Sequence, residues 1–301
     1  MDGRIDARPI APLSPRSTGL ASLASVRAQG VPIVMLTAYD YPSGRVAMEA
    51  GVDVVLVGDS AAMTVLGYPT TREITVDELL VLTRAVRRAV SGIPLVGDLP
   101  FGSYEPSDAM AVATARRFVD EAGCDAVKLE GARDKLPRVR AIVAAGIPVI
   151  GHIGLLPQSV TSPEGYRAKG RDADDALAIV ADADALQAAG CAAIVIEAVP
   201  AAVASIVSQR LTIPVIGIGA GADTHGQVLV YHDLLGLGEN RVARFVRQYL
   251  QGRTEQVAAV RHWADDVREG RFPAAPESYG IADEELAVVQ ARLRDSASES
   301  R

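Results

Sequence analysis

The chain has 301 residues, 49% of them hydrophobic and 22% charged, which supplies a large core and excludes disorder of the whole. Its net charge of −7 argues against nucleic acid as a partner, because phosphate binding needs a basic surface, and favours small-molecule substrates. No apolar run approaches the roughly 18 residues of a membrane span, and the N-terminus lacks the apolar middle of a signal peptide, so no membrane role and a cytoplasmic location are expected.

Residues 1–18, rich in Pro, Arg and Ser, read as a disordered arm. A phrase of turn, proline and short β-branched run then recurs at 30–36 (GVPIVML), 92–98 (GIPLVGD), 146–152 (GIPVIGH) and 212–218 (TIPVIGI). Proline cannot donate to a ladder, so in each phrase it opens a strand. A second phrase interleaves at 49–59 (EAGVDVVLVGD), 121–131 (EAGCDAVKLEG) and 187–198 (QAAGCAAIVIEA), where a glycine ends a helix and a strand follows. Amphipathic helices are predicted at 77–91, opened by a capping-box pattern at Thr75 and Glu78, and at 107–122, 134–145, 173–189 and 200–209. The cysteines Cys124 and Cys191 each follow a helix-ending glycine and read as packed thiols in a reducing compartment. An eighth strand is predicted over 227–233, extra helices over 239–250, 254–269 and 281–294, a Pro-rich connector over 272–280, and a disordered tail at the end.

Strands that are continuously apolar and separated by helices imply a parallel sheet covered on both faces. Eight such units predict an α/β fold, a TIM (β/α)8 barrel with extra C-terminal helices. An open doubly wound sheet is disfavoured, because the first strand lacks G-x-G-x-x-G and the unit spacing stays even. The predicted organisation is the arm, a barrel domain with its C-terminal helices over 19–275, and a 276–301 extension of one helix and a tail.

A barrel places its active site at the C-terminal ends of its strands. Polar residues end five consecutive apolar runs: Asp59 and Ser60, then Asp98, then Lys128 and Glu130, then His152, then Glu197; the seventh run ends in the glycines of 217–221. One such carboxylate is as well explained as a helix cap or an arginine partner, but five strands in succession favour a shared site. Acids converging there need a cation or each other's protons. Asp59, Asp98 and Glu130 form an oxygen-rich set suited to Mg²⁺, with a proton-sharing cluster as the alternative. Lys128 shares a strand face with Glu130, which places it to hold a substrate carboxylate or keto oxygen. His152 reads either as a substrate contact or as a core histidine bonded to a backbone carbonyl. Glu197 has no cationic partner nearby in sequence, which suits a proton acceptor, with indirect metal support as the alternative.

The phrases LTAYDY (36–41), VVLVGDSAAMTVLGY (54–68), DLPFGSYE (98–105), VKLEG (127–131), GHIGLLPQSV (151–160), GYRAKGR (165–171), EAVP (197–200) and IPVIGIGAGADTHGQVLVYHD (213–233) resemble, in order, the ketopantoate hydroxymethyltransferase family. The resemblance implies a TIM barrel that transfers a hydroxymethyl group from the co-substrate 5,10-methylenetetrahydrofolate to 3-methyl-2-oxobutanoate, giving 2-dehydropantoate. It also implies Mg²⁺ at Asp59, Asp98 and Glu130, substrate contacts from Asp59, Ser60, Asp98, Lys128 and His152, and Glu197 as the proton acceptor. A homo-oligomer, commonly a decamer in the family, is implied as well. Glu164 stands where the family usually has Gly, Lys169 where Gln is common, and Glu277-Ser278-Tyr279 where a His, a Ser and an aromatic are usual. These departures bear on closure of the mouth. The competing expectation is a related Mg²⁺-enolate barrel enzyme, a lyase or phosphonomutase acting on another 2-oxo acid.

Overall fold

A computed structural model of the protein describes residues 20–160, 162, 165–239 and 242–299; the arm expected over 1–18, Glu164 and the last two residues lie outside them. Eight strands, β1 (Ile33–Thr37), β2 (Val54–Val57), β3 (Leu95–Asp98), β4 (Ala126–Glu130), β5 (Val149–Gly154), β6 (Ala193–Glu197), β7 (Val215–Ile218) and β8 (Gly226–Leu229), close into a parallel barrel in chain order. The helices are α1 (Ala21–Ala28), α2 (Tyr41–Glu49), α3 (Ala61–Thr64), α4 (Val76–Ala89), α5 (Asp108–Ala122), α6 (Leu136–Ala144), α7 (Ala173–Ala188), α8 (Ala201–Arg210), α9 (Tyr231–Leu234), α10 (Gly252–Arg268) and α11 (Asp283–Glu299). The TIM barrel with extra C-terminal helices is the fold observed.

Alternation along the strands divides the core in two. Ile33, Met35, Val54, Leu56, Val96, Ala126, Ile150, Val195 and Ile216 fill the barrel interior, and Leu20 and Leu23 pack with them from the entry of α1. Val55, Val57, Leu95, Val127, Leu129, Ile153 and Ile196 face outward against Leu79, Phe118, Ile142 and Leu186 of the surrounding helices. Thr75 and Glu78 form the predicted capping box at the start of α4. The aspartates of the repeated GVD and GCD phrases each secure a neighbouring strand: Val34 N–H donates to Asp53 Oδ2 at 2.9 Å, and Leu95 N–H to Asp125 Oδ2 at 2.8 Å.

The predicted helix over 239–250 is absent among the described residues there, which are irregular with a single turn at 244–245. Tertiary contacts outweigh local propensity in this segment. Tyr249 N–H donates to Leu234 O at 2.8 Å, and the Phe245 ring sits so close to Gly219 that a Cβ there would lie 2.5 Å from it. The predicted eighth strand ends early, and Tyr231–Leu234 turns into α9. The chain falls into two compact units divided between Leu250 and Gln251, and α10 and α11 both lie in the second. In the second unit α11 runs through Glu299, beyond the predicted end at 294.

Both cysteines are free and buried, and burial pushes each thiol up to about 12. Cys124 packs where β3 has Gly97: a Cβ on Gly97 would lie 2.4 Å from the Phe118 ring and 2.9 Å from Cys124 Sγ. Phe118 is itself fully buried and cannot withdraw into solvent. Gly97→Ala is therefore expected to overpack this contact and cost roughly 1–3 kcal/mol in denaturant unfolding. Gly238→Ala, with nothing within 4 Å of the added atom, serves as the reference and is expected to be near neutral; equal losses in the two variants would contradict the packing account.

Candidate active site

The interior-facing positions of β3 to β6 change character toward the C-terminal end of the barrel. Val96 gives way to Asp98, Ala126 to Lys128 and Glu130, Ile150 to His152, and Val195 to Glu197, so a polar layer sits on the apolar ones. Strand register sets the pairs: Asp98 lies beside Lys128, and Glu130 beside His152. The Lys128 ammonium stands 2.8 Å from Asp98 Oδ2, and the Asp59 N–H donates to the same oxygen at 3.2 Å. His152 lies between two acids, with Nδ1 3.4 Å from Glu130 Oε1 and Nε2 3.2 Å from Glu197 Oε2.

Lys128 and Glu130 are only 4% and 3% exposed, so the strand end that reaches the mouth keeps both charges out of water. They do not pair with each other. Burial acts to lower the Lys128 pKa, but Asp98, Asp59 and Glu130 outweigh it and hold the ammonium above its usual range. Burial, together with Asp98 and Glu130, pushes the Asp59 carboxyl well above the usual carboxylate range, against the opposing influence of Lys128 and Gln158. His152 is depressed by burial and by Lys128, yet the carboxylates of Glu130 and Glu197 prevail and push it up to about 9. The backbone-bonded core histidine considered from sequence is thus not what forms. Nor is Glu197 without a partner: the fold supplies His152, from a strand 45 residues earlier (197 − 152).

Ser60 opens α3 and its hydroxyl meets Tyr39 Oη at 2.6 Å, which orients it beside Asp59. Glu197, 14% exposed, is the most open acid of the layer. The turn after it is held by Ala198 in a left-handed conformation, φ 48°, with its N–H donating to Ile218 O and its carbonyl accepting from Lys169 N–H. Gly154 approaches the Glu197 carbonyl so closely that a Cβ would lie 2.3 Å from it.

Three side chains unassigned from sequence complete the site. Gln158 Nε2 donates to Asp59 Oδ2 at 2.8 Å, and its backbone N–H donates to Glu130 Oε2 at 3.0 Å. Tyr104 Oη donates to Gln158 Oε1 at 2.7 Å, and Tyr39 holds Ser60. All three stand inside phrases that carried the family resemblance, but none is charged and none ends a strand, the two marks by which candidates were chosen. A cavity of about 330 Å³ lies beside the loop after β5, lined by Gly154, Leu155, Leu156, Val160 and Lys169, while the charged layer itself is nearly closed to solvent.

The donor set has the chemistry of a hard-cation site. Asp98 Oδ1 and Glu130 Oε1 are buried without a hydrogen-bond partner. Among the described residues, no three His, Cys, Asp or Glu side chains stand close enough to hold an ion between them. Mg²⁺ does not require such a cage, because it commonly takes one or two protein carboxylates and completes its shell with water and substrate oxygens. The residues present fit that ion.

A sequence model described as ketopantoate hydroxymethyltransferase matches residues 17–275. A 3-methyl-2-oxobutanoate hydroxymethyltransferase of Oleidesulfovibrio alaskensis is 49% identical over 253 residues, covering 84% of this chain and 88% of its own. One from Moorella thermoacetica is 49% identical over 260 residues, covering 86% and 97%. Among solved structures, a phosphoenolpyruvate phosphomutase from Streptomyces platensis subsp. rosaceus aligns with a TM-score of 0.59 over 94% of this chain and 98% of its own, at 19% identity, a likeness of fold alone. Match length and identity together show that the chain belongs to the ketopantoate hydroxymethyltransferase family.

Proposed function

We propose that the polar layer at the barrel mouth carries out the family's reaction, with Mg²⁺ held at Asp59, Asp98 and Glu130, of which no more than two would bond the ion directly while water and substrate oxygens complete its shell, and with 5,10-methylenetetrahydrofolate as the one-carbon donor. The observation that supports this most directly is the convergence of three acids, one lysine and a histidine–glutamate pair in a single buried layer. The reaction starts by removing the proton from the carbon next to the ketone of 3-methyl-2-oxobutanoate. When bound, Mg²⁺ supplies Lewis acidity toward the carboxylate and keto oxygens of the 2-oxo acid.

Glu197 accepts the proton: it is the most open acid of the layer, and His152 Nε2, 3.2 Å from its Oε2, orients it. The electron pair of the broken C–H bond passes to the enolate oxygen, whose charge Lys128 meets at short range. Asp59, Ser60 and Asp98 line the same place and orient the substrate. The enolate carbon then bonds to the methylene carbon as one of that carbon's two bonds to folate nitrogen breaks; water replaces the second nitrogen, and the two nitrogens leave carrying the proton taken from the substrate and one from the water. The balanced reaction consumes one water, which supplies the new hydroxyl oxygen, and releases tetrahydrofolate and 2-dehydropantoate.

We further propose a homo-oligomer, a decamer by family likeness, in the cytoplasm. Exposed apolar side chains on α10 and α11, among them Val260 at 61%, Trp263 at 54% and Leu293 at 65%, support an assembly that covers them. Among the described residues no helix is long and apolar enough to cross a membrane.

Two outcomes are expected. Without folate, the purified protein and Mg²⁺ should exchange the substrate proton at C3 into deuterated water, followed by proton NMR, and a chelator should stop the exchange; exchange indifferent to chelator would remove Mg²⁺ from the scheme. Glu197→Gln should slow that exchange by about 10²–10⁴-fold, with far-ultraviolet circular dichroism unchanged, whereas a wild-type exchange rate in this variant would exclude Glu197 as the acceptor.

A further inference from the structure

We propose that Gln158 is the positioning residue of the site: it occupies one oxygen of Asp59 and one of Glu130, and so presents the opposite oxygen of each acid to a bound cation. The inference rests on the reading of these acids as Mg²⁺ ligands. Gln158 is 2% exposed and uses every hydrogen-bonding group it has. Its two amide hydrogens go to Asp59 Oδ2 at 2.8 Å and Leu99 O at 3.0 Å, and its amide oxygen accepts from Tyr104 Oη at 2.7 Å. The backbone N–H donates to Glu130 Oε2 at 3.0 Å, and the backbone carbonyl accepts from Arg72 Nη1 at 2.9 Å.

The local sequence accounts for this placement. Pro157 opens a single 3₁₀ turn over Pro157–Ser159, closed by Ser159 N–H to Leu156 O and Val160 N–H to Pro157 O. The turn aims one backbone amide and one side chain back into the barrel mouth. The amide orientation is determined by its neighbours: reversed, it would set its oxygen against the Asp59 carboxylate and the Leu99 carbonyl. Glutamate at this position would lack the two donors, and a hydrocarbon would lack all three groups.

One residue from the loop after β5 thereby bridges acids contributed by the ends of β2 and β4. Glu130 Oε2 is taken by the Gln158 backbone, and the other oxygen, Oε1, makes no hydrogen bond and has His152 Nδ1 as its neighbour at 3.4 Å. Asp59 is constrained in the same way through Oδ2. A free carboxylate rotates between equivalent poses, whereas these two have one oxygen each assigned before any ligand arrives. Groups that orient metal ligands typically change metal affinity by about 10–100-fold when lost.

The experiment titrates Mg²⁺ calorimetrically into the full-length, chelator-stripped protein and follows the Mg²⁺-dependent rise in unfolding temperature. Wild type is compared with Gln158→Met, Tyr104→Phe and Asp59→Asn. Gln158→Met should weaken Mg²⁺ binding by about 10–100-fold and shrink the Mg²⁺-dependent rise. Tyr104→Phe, which keeps the amide and removes only the hydroxyl that orients it, should weaken binding severalfold. Gln158→Met that is merely less stable, with the wild-type Mg²⁺ affinity and the same rise on adding metal, overturns the proposal. If Gln158→Met does not fold, Tyr104→Phe decides, and wild-type affinity there overturns it too. Asp59→Asn separates the two levels of inference: wild-type Mg²⁺ binding in that variant refutes the ligand assignment, whereas its loss combined with intact binding in Gln158→Met refutes the role of Gln158 alone.

Discussion

The ammonium group of Lys128, buried inside the barrel and 2.8 Å from Asp98, is the charge on which the arrangement of the mouth depends. Asp98, Asp59 and Glu130 all act on it and together hold the ammonium above its usual range against its own burial. Removing one partner from a buried ion pair leaves the other uncompensated, at a cost of about 3–5 kcal/mol. Lys128 therefore belongs to the stability of the barrel as much as to its chemistry. His152, between Glu130 and Glu197, links the acids of β4 and β6 in the same way, 3.4 Å and 3.2 Å from their oxygens.

The site is built by position within a layered interior. Apolar side chains fill the lower layers, α1 and its entry residues pack beneath them, and the last inward position of each of β3 to β6 carries a polar or charged group. Parallel register makes these last positions neighbours, which is why Asp98 meets Lys128 and Glu130 meets His152 without help from loops. The loops then finish the work: the turn at 157–159 reaches over the acids, and the left-handed Ala198 fixes the exit of Glu197. A rigid scaffold bearing specialised loops is how this barrel architecture accommodates its chemistry.

Much of this was legible in the chain because the two repeated phrases mark strand entries and helix exits by strong local rules, proline at a strand's start and glycine at a helix's end. Charged residues closing apolar runs are equally conspicuous, so Asp59, Asp98, Lys128, Glu130, His152 and Glu197 all stood out. Gln158 and Tyr104 did not, since a neutral amide and a phenol gain their roles only from partners 99 and 54 residues away in sequence, respectively. Glu197 looked solitary for the same reason. The segment 239–250 has helical periodicity, but with Phe245 against Gly219 and Tyr249 bonded to Leu234 its described residues stay irregular.

Alternation, capping and turn chemistry act over a few residues, so the chain alone indicated the strands and main helices of the barrel, that they form a parallel sheet, and which charged residues gather at one end of it. The pairing of Lys128 with Asp98 rather than Glu130, the imidazole that Glu197 faces and the carboxylate oxygens that Gln158 occupies were decided only by the tertiary structure. Each of these depends on desolvation and on distances of about 3 Å between strands far apart in sequence, and both arise only when the barrel closes.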